Sequence, residues 1–156
     1  MDRSSSLIEY KISDGIVNNY LEFLDIFKEA KYEVNGVCTK NGFQTKNILS
    51  YQSAKDLTKE VLSEMGNITN GFDCFHIHLI EYFKQGYQEA HNHKITEDFS
   101  FILYLNDADG NTVFENIGEI EPKKGKLIYF KSDLMHWSKQ SIRNKKIAVG
   151  ALKAID

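Results

Sequence analysis

Three histidines in the second half of the chain are the residues best suited to chemistry. His91 and His93 are separated by one residue, and His136 follows a later apolar segment. Side chains alternate along a β-strand, so two imidazoles at positions i and i+2 point to the same side. A third imidazole from a distant strand completes one face of a metal's coordination sphere and leaves positions open for substrate and oxygen. The spacing therefore predicts a metal site, although two exposed loop histidines would give the same pair.

The first part of the chain predicts a strand and two helices. Residues 7–12 have the pattern of a short strand, and Asp14 is a candidate cap for a helix with one apolar face. That face carries Val17, Tyr20, Leu21, Leu24 and Phe27. A second helix is predicted from Ser53 to Met65, with a capping box at Ser53 and Asp56, an apolar face at Leu57, Val61 and Met65, and an end at Gly66. Residues 31–50 give no clear pattern.

After Gly71 the pattern changes to aromatic and β-branched runs separated by Gly, Asn, Asp and Ser. A turn is expected at Gln85-Gly86, and the single proline, Pro122, is expected in another. Two helices followed by many strands indicate helices packed on one side of a β-sandwich or jelly roll. The runs that predict strands are 72–84, 98–105, 112–116, 126–131, 135–141 and 145–152.

Length, net charge and cysteine content limit the classes of protein to which the chain can belong. The 156 residues suit one domain over 1–156, and the net charge of −3 argues against nucleic-acid binding, with Lys123, Lys124 and Lys126 expected in a solvated turn. The cysteines, Cys38 and Cys74, form no disulfide framework, which favours a reducing, cytoplasmic setting. The polar residues 1–6 do not resemble a secretion signal, and no apolar run approaches the ~20 residues of a membrane span.

The order of motifs over residues 75–152 resembles that of the 2-oxoglutarate- and iron(II)-dependent dioxygenases, in their prolyl 4-hydroxylase-like branch. The matching elements, in chain order, are Tyr82, His91-Asn92-His93, Tyr104-Leu105-Asn106, Gly110-Asn-Thr112-Val-Phe114, Pro122-Lys-Lys-Gly125, Leu127-Ile-Tyr-Phe130, His136 and Lys146. The resemblance implies a double-stranded β-helix, a cupin-like jelly roll. It also implies Fe(II) as cofactor, and molecular oxygen and 2-oxoglutarate as co-substrates. A small molecule or peptide residue would be hydroxylated while 2-oxoglutarate becomes succinate and carbon dioxide.

The chain departs from the family pattern at His93, where the family has an aspartate ligand. Three possibilities remain open. His93 is the third ligand, or Glu97 or Asp98 folds back to supply a carboxylate, or a water fills the place with His93 behind it. The first is favoured because His93 holds the aspartate's position and shares a face with His91. A three-histidine site carries one more positive charge than the family's usual set, which alters its affinity for iron.

Binding of 2-oxoglutarate requires a buried cation for its far carboxylate. The resemblance assigns this role to Lys146, at the start of the last apolar run, with Arg143 as the second candidate. Alternation along that strand then predicts that Lys145 faces the other way. The resemblance also places the hydroxyls of Tyr104 and Tyr82 against 2-oxoglutarate, with Thr112 as a weaker candidate; ordinary core packing is the alternative for both tyrosines.

Tyr82 shares one face of its predicted strand with four other residues, two of which are histidines. Alternation places Cys74, His76, His78 and Ile80 on the side of Tyr82. If Tyr82 points into the cavity, the two histidines do so as well, and we expect them to have a structural or substrate-lining role rather than to bind metal.

The rival interpretations are a cupin-type metalloprotein that does not use 2-oxoglutarate and a jelly roll that binds a ligand without catalysis. The spacing of Gly86, His91, His93 and Glu97 resembles the first cupin motif, and His136 could be its last histidine. Against a cupin, the position that should hold its next glycine is Tyr104, and the short second motif is absent from the sequence.

Overall fold

The structure is a computed structural model that describes residues 7–34, 39–93 and 97–155. Two helices and nine strands make up most of this part of the chain. The helices are α1 (Asp14–Glu29) and α2 (Gln52–Met65), and the strands are β1 (Leu7–Lys11), β2 (Thr39–Gln44), β3 (Phe72–His91), β4 (Phe99–Tyr104), β5 (Thr112–Phe114), β6 (Gly118–Ile120), β7 (Lys126–Lys131), β8 (His136–Ser138) and β9 (Lys145–Ala154). None of the helices in the described ranges is long and apolar enough to cross a membrane.

All strand pairs of the sheet are antiparallel, and the sheet curls into a half-barrel. The strand order is β1-β7-β4-β9-β3-β8-β5-β6, and β2 pairs with β3. The 20-residue strand β3 lies between β9 and β8 in this order and so connects the two parts of the sheet. Its first part, Phe72–Tyr82, pairs with β9, and its last part pairs with β8 through Gln88 and His91. This architecture confirms the prediction of a mainly β double-stranded β-helix with N-terminal helices.

The curled sheet has an apolar cluster on each face. The outer face packs on the helices, where Tyr20, Leu24 and Phe27 of α1 and Leu57, Val61 and Met65 of α2 are buried. Leu21, which was expected on this face of α1, is only half-buried. The inner cluster consists of Ile80, Tyr82, Ile102, Tyr104, Phe114, Ile128, Phe130 and Ile147. This inner face also carries the histidines, so alternation along each strand separates the supporting core from the site.

The helices begin slightly differently from the sequence prediction. Asp14 is the first helical residue of α1, after Ser13 at the N-cap, and the backbone N–H and hydroxyl of Ser13 both donate to Glu64. The prediction of a capping box at Ser53 and Asp56 is wrong. Tyr51 is the N-cap of α2, and Asp56 accepts from the side chain of Gln52. Gly66 ends α2 with a φ of 74°, as predicted.

The strand bounds also contain corrections. The prediction of a turn at Gln85-Gly86 is wrong, because β3 continues without a break to His91. The backbone departs from regular strand geometry at Gln85, which has a φ of 67°. Strand β2 forms in the segment that gave no sequence pattern, and β6 was not predicted. Residues 1–6 and Cys38, which entered the sequence predictions, lie outside the described ranges.

Candidate active site

One cavity of about 410 Å³ opens inside the curled sheet. All five histidines of the chain line it: His76, His78, His91, His93 and His136. Apolar side chains of β4 and β9, including Ile102, Ile147 and Val149, form much of the remaining wall. A cavity with mostly apolar walls and a few convergent polar groups is the usual form of an enzyme's binding site.

Three of these histidines form a compact cluster. His91 ends β3 and lies directly opposite His136 of β8, with their ring centroids 4.2 Å apart. His93 follows β3 and is fixed by its backbone N–H, which donates to the carbonyl of Ser132 at 2.7 Å. The His93 ring is 4.8 Å from His91 and 5.3 Å from His136 between centroids. One nitrogen from each ring lies within 4.8 Å of the others, so the three side chains converge as the sequence predicted.

The backbone orients two of the rings. Nδ1 of His91 is 2.7 Å from the carbonyl of Glu89, and Nδ1 of His136 is 3.0 Å from the carbonyl of Leu134. A carbonyl oxygen only accepts, so in the neutral rings the proton lies on Nδ1. The lone pair of Nε2 then remains for a ligand, which is the tautomer that metal-binding histidines need.

The cluster is held in the neutral state. Burial lowers the pKa of His136 to about 3, and the neighbouring His91 acts in the same direction. Burial, followed by the charges of His91 and His78, lowers the pKa of His93 to about 4, and burial lowers the pKa of His91 as well. Three neutral imidazoles at one point suit Fe(II) or another first-row divalent ion, so the residues present fit the metal that the sequence implied.

The two candidate carboxylates lie in different places. Glu97 lines the cavity, with one carboxylate oxygen 3.6 Å from Nδ1 of His93. Asp98 is exposed and accepts from the backbone N–H of Ala154 at 2.8 Å. Neither belongs to the converging set of His91, His93 and His136. Asp98 is therefore not a ligand in this geometry, and Glu97 lies behind His93 rather than beside the cluster.

Among the described residues, Lys145 is the buried cation near the cavity. Its side chain is 1% exposed, and Nζ donates to the carbonyl of Gly110 at 2.7 Å and to the hydroxyl of Ser138 at 2.5 Å. Ser138 lines the cavity two residues after His136 on β8. Burial lowers the pKa of Lys145 to about 7, while the carboxylate of Asp109 opposes this shift.

The prediction that Lys146 faces inward and Lys145 outward is wrong. Alternation holds along β9, but its phase is the reverse, because Lys145 lies opposite Tyr82 and Lys146 lies opposite Glu81 on the outer face. Both faces of the following segment are apolar, so the sequence did not show which was the inner one. The second candidate, Arg143, is exposed and precedes β9. Its backbone N–H donates to Asp109 at 3.0 Å, and its carbonyl accepts from the hydroxyl of Ser141.

The two predicted tyrosines surround this lysine. Nζ of Lys145 lies 4.6 Å from the ring centroid of Tyr82, a cation–π contact. Tyr104 is fully buried and donates its hydroxyl to Thr112 at 2.6 Å. Thr112 lines the cavity and pairs with Ser138 across β5 and β8. Lys145, Tyr82 and Tyr104 thus lie just behind the cavity wall that Thr112 and Ser138 form.

Sequence reasoning missed Asp109, which builds the turn before β9. Its carboxylate accepts from the backbone N–H groups of Ile142 and Arg143 and from the hydroxyl of Ser141. The backbone bonds and the Ser141 hydroxyl together lower the pKa of Asp109 to about 2. The neighbouring Gly110 has a φ of 79°, and its carbonyl is the one that holds Lys145. The only signal for this role in the sequence was the position of Asp109 just before the glycine of the Gly110–Phe114 motif.

His76 and His78 point into the cavity, as alternation predicted, but Cys74 does not. A register irregularity between Cys74 and His76 turns the cysteine to the outer face, where it packs against the helix-side cluster. The rings of His76 and His78 are 4.0 Å apart between centroids. Nδ1 of His78 is 2.7 Å from the carbonyl of Thr45, and burial lowers the pKa of His78 to about 4. Both histidines therefore line the same cavity as the three-histidine cluster.

Comparison with known proteins gives a match in structure only. No protein-family model matches the sequence, and no curated protein matches it either. Solved structures match over nearly the whole chain, at a sequence identity too low to show more than the fold.

The matching structures include hydroxylases and other 2-oxoglutarate-binding proteins. A prolyl-4-hydroxylase from Pseudomonas putida has a TM-score of 0.73 at 14% identity, covering 97% of this chain and 94% of its own. A viral collagen prolyl hydroxylase from Paramecium bursaria Chlorella virus-1, solved as a 2-oxoglutarate complex, has a TM-score of 0.75 at 16% identity, covering 97% and 98%. HygX from Streptomyces hygroscopicus, solved with nickel and 2-oxoglutarate, has a TM-score of 0.72 at 9% identity, covering 96% and 83%. The chain has the fold that these proteins share.

Proposed function

We propose that the protein is an iron(II)- and 2-oxoglutarate-dependent oxygenase that hydroxylates a small molecule or a peptide residue. The observation that carries the proposal is the combination of a three-histidine cluster in the cavity with a buried lysine behind the same wall. Either feature alone occurs in other sites. Together they supply the two groups that a chelating keto acid with a second carboxylate requires.

The distance between the two features supports this proposal. Lys145 donates to Ser138, and Ser138 and His136 lie on the same face of β8. Two residues along a strand span about 7 Å, which a five-carbon dicarboxylate can bridge. In the proposed complex the far carboxylate replaces an acceptor of Lys145, and Tyr104 or Thr112 donates a hydroxyl to it.

Each wall of the cavity has a distinct proposed role. His91, His93 and His136 would hold the iron through Nε2, and the iron would supply the oxygen activation that couples decarboxylation of 2-oxoglutarate to C–H hydroxylation. His76 and His78 would contact the substrate, and the apolar residues of β4 and β9 would exclude water. The 2-oxoglutarate complexes of the viral hydroxylase and of HygX support the choice of co-substrate.

The free thiol of Cys74 supports a reducing, cytoplasmic setting.

The test compares two neighbouring lysines that face opposite ways. Titration calorimetry under anaerobic conditions, with Fe(II)-loaded protein, measures 2-oxoglutarate binding to the wild type, Lys145→Met and Lys146→Met. Removing one partner of a desolvated charge pair costs about 2–5 kcal/mol, so Lys145→Met should weaken binding by roughly 30-fold or more. Lys146→Met is the control, because its side chain lies on the outer face, and should stay within about threefold of the wild type.

Two results would count against the proposal. Equal losses in Lys145→Met and Lys146→Met would remove the assigned anchor. A wild type that binds iron but no 2-oxoglutarate would overturn the oxygenase assignment and leave a cupin-type metalloprotein as the function.

A further inference from the structure

Glu97 has an environment that the proposed ligand set does not explain. Its side chain is 8% exposed and lies at the cavity wall. One carboxylate oxygen accepts from the hydroxyl of the fully buried Ser100 at 2.5 Å. The other oxygen faces Nδ1 of His93 at 3.6 Å. A buried carboxylate is costly unless donors or cations compensate it, so both contacts call for a functional explanation.

Each of the three histidines of the cluster has an oxygen near Nδ1, within hydrogen-bond distance in His91 and His136 and at 3.6 Å in His93. In His91 and His136 the neighbour of Nδ1 is a backbone carbonyl, which has no net charge. In His93 the neighbour is the carboxylate of Glu97. Histidines that bind metals commonly donate the other ring N–H to a carboxylate or a carbonyl, which fixes the ring and raises its basicity. His93 alone in this cluster has a charged residue in that position.

The charge of a bound divalent cation gives a physical reason for a carboxylate next to His93. Three neutral imidazoles leave the full charge of a divalent cation uncompensated, whereas a site with one carboxylate ligand lowers that charge by one unit. Glu97 would restore the missing negative charge from behind His93. Because Glu97 is buried, water screens this interaction poorly, and the charge acts at short range.

We propose that Glu97 is a positioning residue whose carboxylate, 3.6 Å from Nδ1 of His93, favours the ring tautomer with the proton on Nδ1 and offsets the charge of the cation bound to the cluster. This inference rests on the proposed metal site. Direct ligation by Glu97 is a separate hypothesis, which the geometry disfavours, because Glu97 is not among the converging groups and Ser100 holds one of its oxygens.

The experiment uses neighbouring acidic residues with opposite orientations. Glu97→Gln removes the charge and keeps the shape, and Asp98→Asn makes the same charge change on the exposed residue that binds the N–H of Ala154. Calorimetry measures Co(II) and Fe(II) affinity, and anaerobic redox titration measures the Fe(III)/Fe(II) midpoint potential. Glu97→Gln should weaken metal binding by about 10- to 100-fold and raise the potential, because less negative charge disfavours the ferric state. Asp98→Asn should leave both close to the wild type.

A measurement on the metal-free wild type does not depend on how the variants fold. Long-range ¹H–¹⁵N correlation at pH 7 should show the His93 proton on Nδ1. A proton on Nε2 would overturn the proposal, as would equal metal affinities in Glu97→Gln and Asp98→Asn. If Glu97→Gln abolishes binding while His93→Ala retains it, Glu97 is a ligand and the positioning role is wrong.

The outcomes also separate this inference from the proposed function. Tight metal binding by the wild type, with no effect of Glu97→Gln, removes only the role of Glu97. A wild type that binds no metal removes the proposed oxygenase together with this inference.

Discussion

His91 and His136 lie directly opposite each other across β3 and β8, with ring centroids 4.2 Å apart. They belong to strands that are distant in the sequence, and the antiparallel register alone brings them together. The same register places Phe114 against His136 on the other side of β8. The pairing of β3 with β8 therefore fixes the backbone positions of two of the three proposed ligands.

The triad should bind one divalent ion per chain. His136→Ala removes the most buried ligand of the cluster and should abolish stoichiometric iron binding, since two imidazoles bind weakly. His76→Ala is the matched control, because His76 lines the same cavity outside the triad. Metal analysis after anaerobic loading and desalting measures the stoichiometry. Undiminished iron in His136→Ala would contradict the ligand assignment.

The affinity for 2-oxoglutarate should fall as the pH rises above neutrality. Burial lowers the pKa of Lys145 to about 7 in the free protein, and a carboxylate partner favours the charged amine and raises the pKa again. Above pH 7 binding must therefore take up a proton, and the affinity should drop by about tenfold per pH unit. Calorimetry in buffers of different ionisation enthalpy reports that proton. Binding that does not vary between pH 7 and 9 would contradict the role of Lys145.

The same lysine should give the unliganded protein an unusual pH dependence of stability. The pKa of Lys145 is 10.5 in its ordinary state and about 7 in the fold, so between these values the unfolded chain binds more protons. The contribution of Lys145 to the free energy of unfolding therefore rises with pH across this window, by up to about 1.4 kcal/mol per unit, and is least favourable below pH 7.

Urea unfolding of the wild type and Lys145→Met at pH 6.5, 8 and 9.5 measures this contribution. The difference in the free energy of unfolding between the wild type and Lys145→Met should shift in favour of the wild type as the pH rises. Lys146→Met, on the outer face, is the control and should show a constant difference. A constant difference for Lys145→Met as well would mean that its pKa in the fold is ordinary.

His93 and Glu97 should be energetically coupled in metal binding. His93→Asp restores the carboxylate of the family pattern but places it close to the buried Glu97, and two neighbouring carboxylates repel each other. The double variant His93→Asp/Glu97→Gln relieves that repulsion, so it should bind Fe(II) more tightly than either single variant. A double-mutant cycle measured by calorimetry should give a coupling of about 0.5–3 kcal/mol. Additive effects would show that the two side chains act independently.

Residue types and their order predicted much of the fold and of the histidine cluster. The strand runs, the two helices and the convergence of His91, His93 and His136 were predicted from alternation, apolar faces and motif order, because these depend on local geometry. Cys74 shows where local geometry fails. One irregularity between Cys74 and His76 reverses the faces on either side of it, and no residue in that segment signals a bulge.

The sequence by itself determined which groups the site contains: three histidines with ligand spacing, two lysines at the start of the last strand, and two acidic residues after His93. Only the tertiary structure decided which member of each of the last two pairs lies on the inner side of the sheet. Lys145 faces inward because β9 pairs with β3 in the register that sets Lys145 opposite Tyr82. Glu97 faces the cavity while Asp98 binds the N–H of Ala154. Alternation dictates that neighbours point to opposite sides, but the choice of side depends on contacts with distant strands, which no local pattern contains.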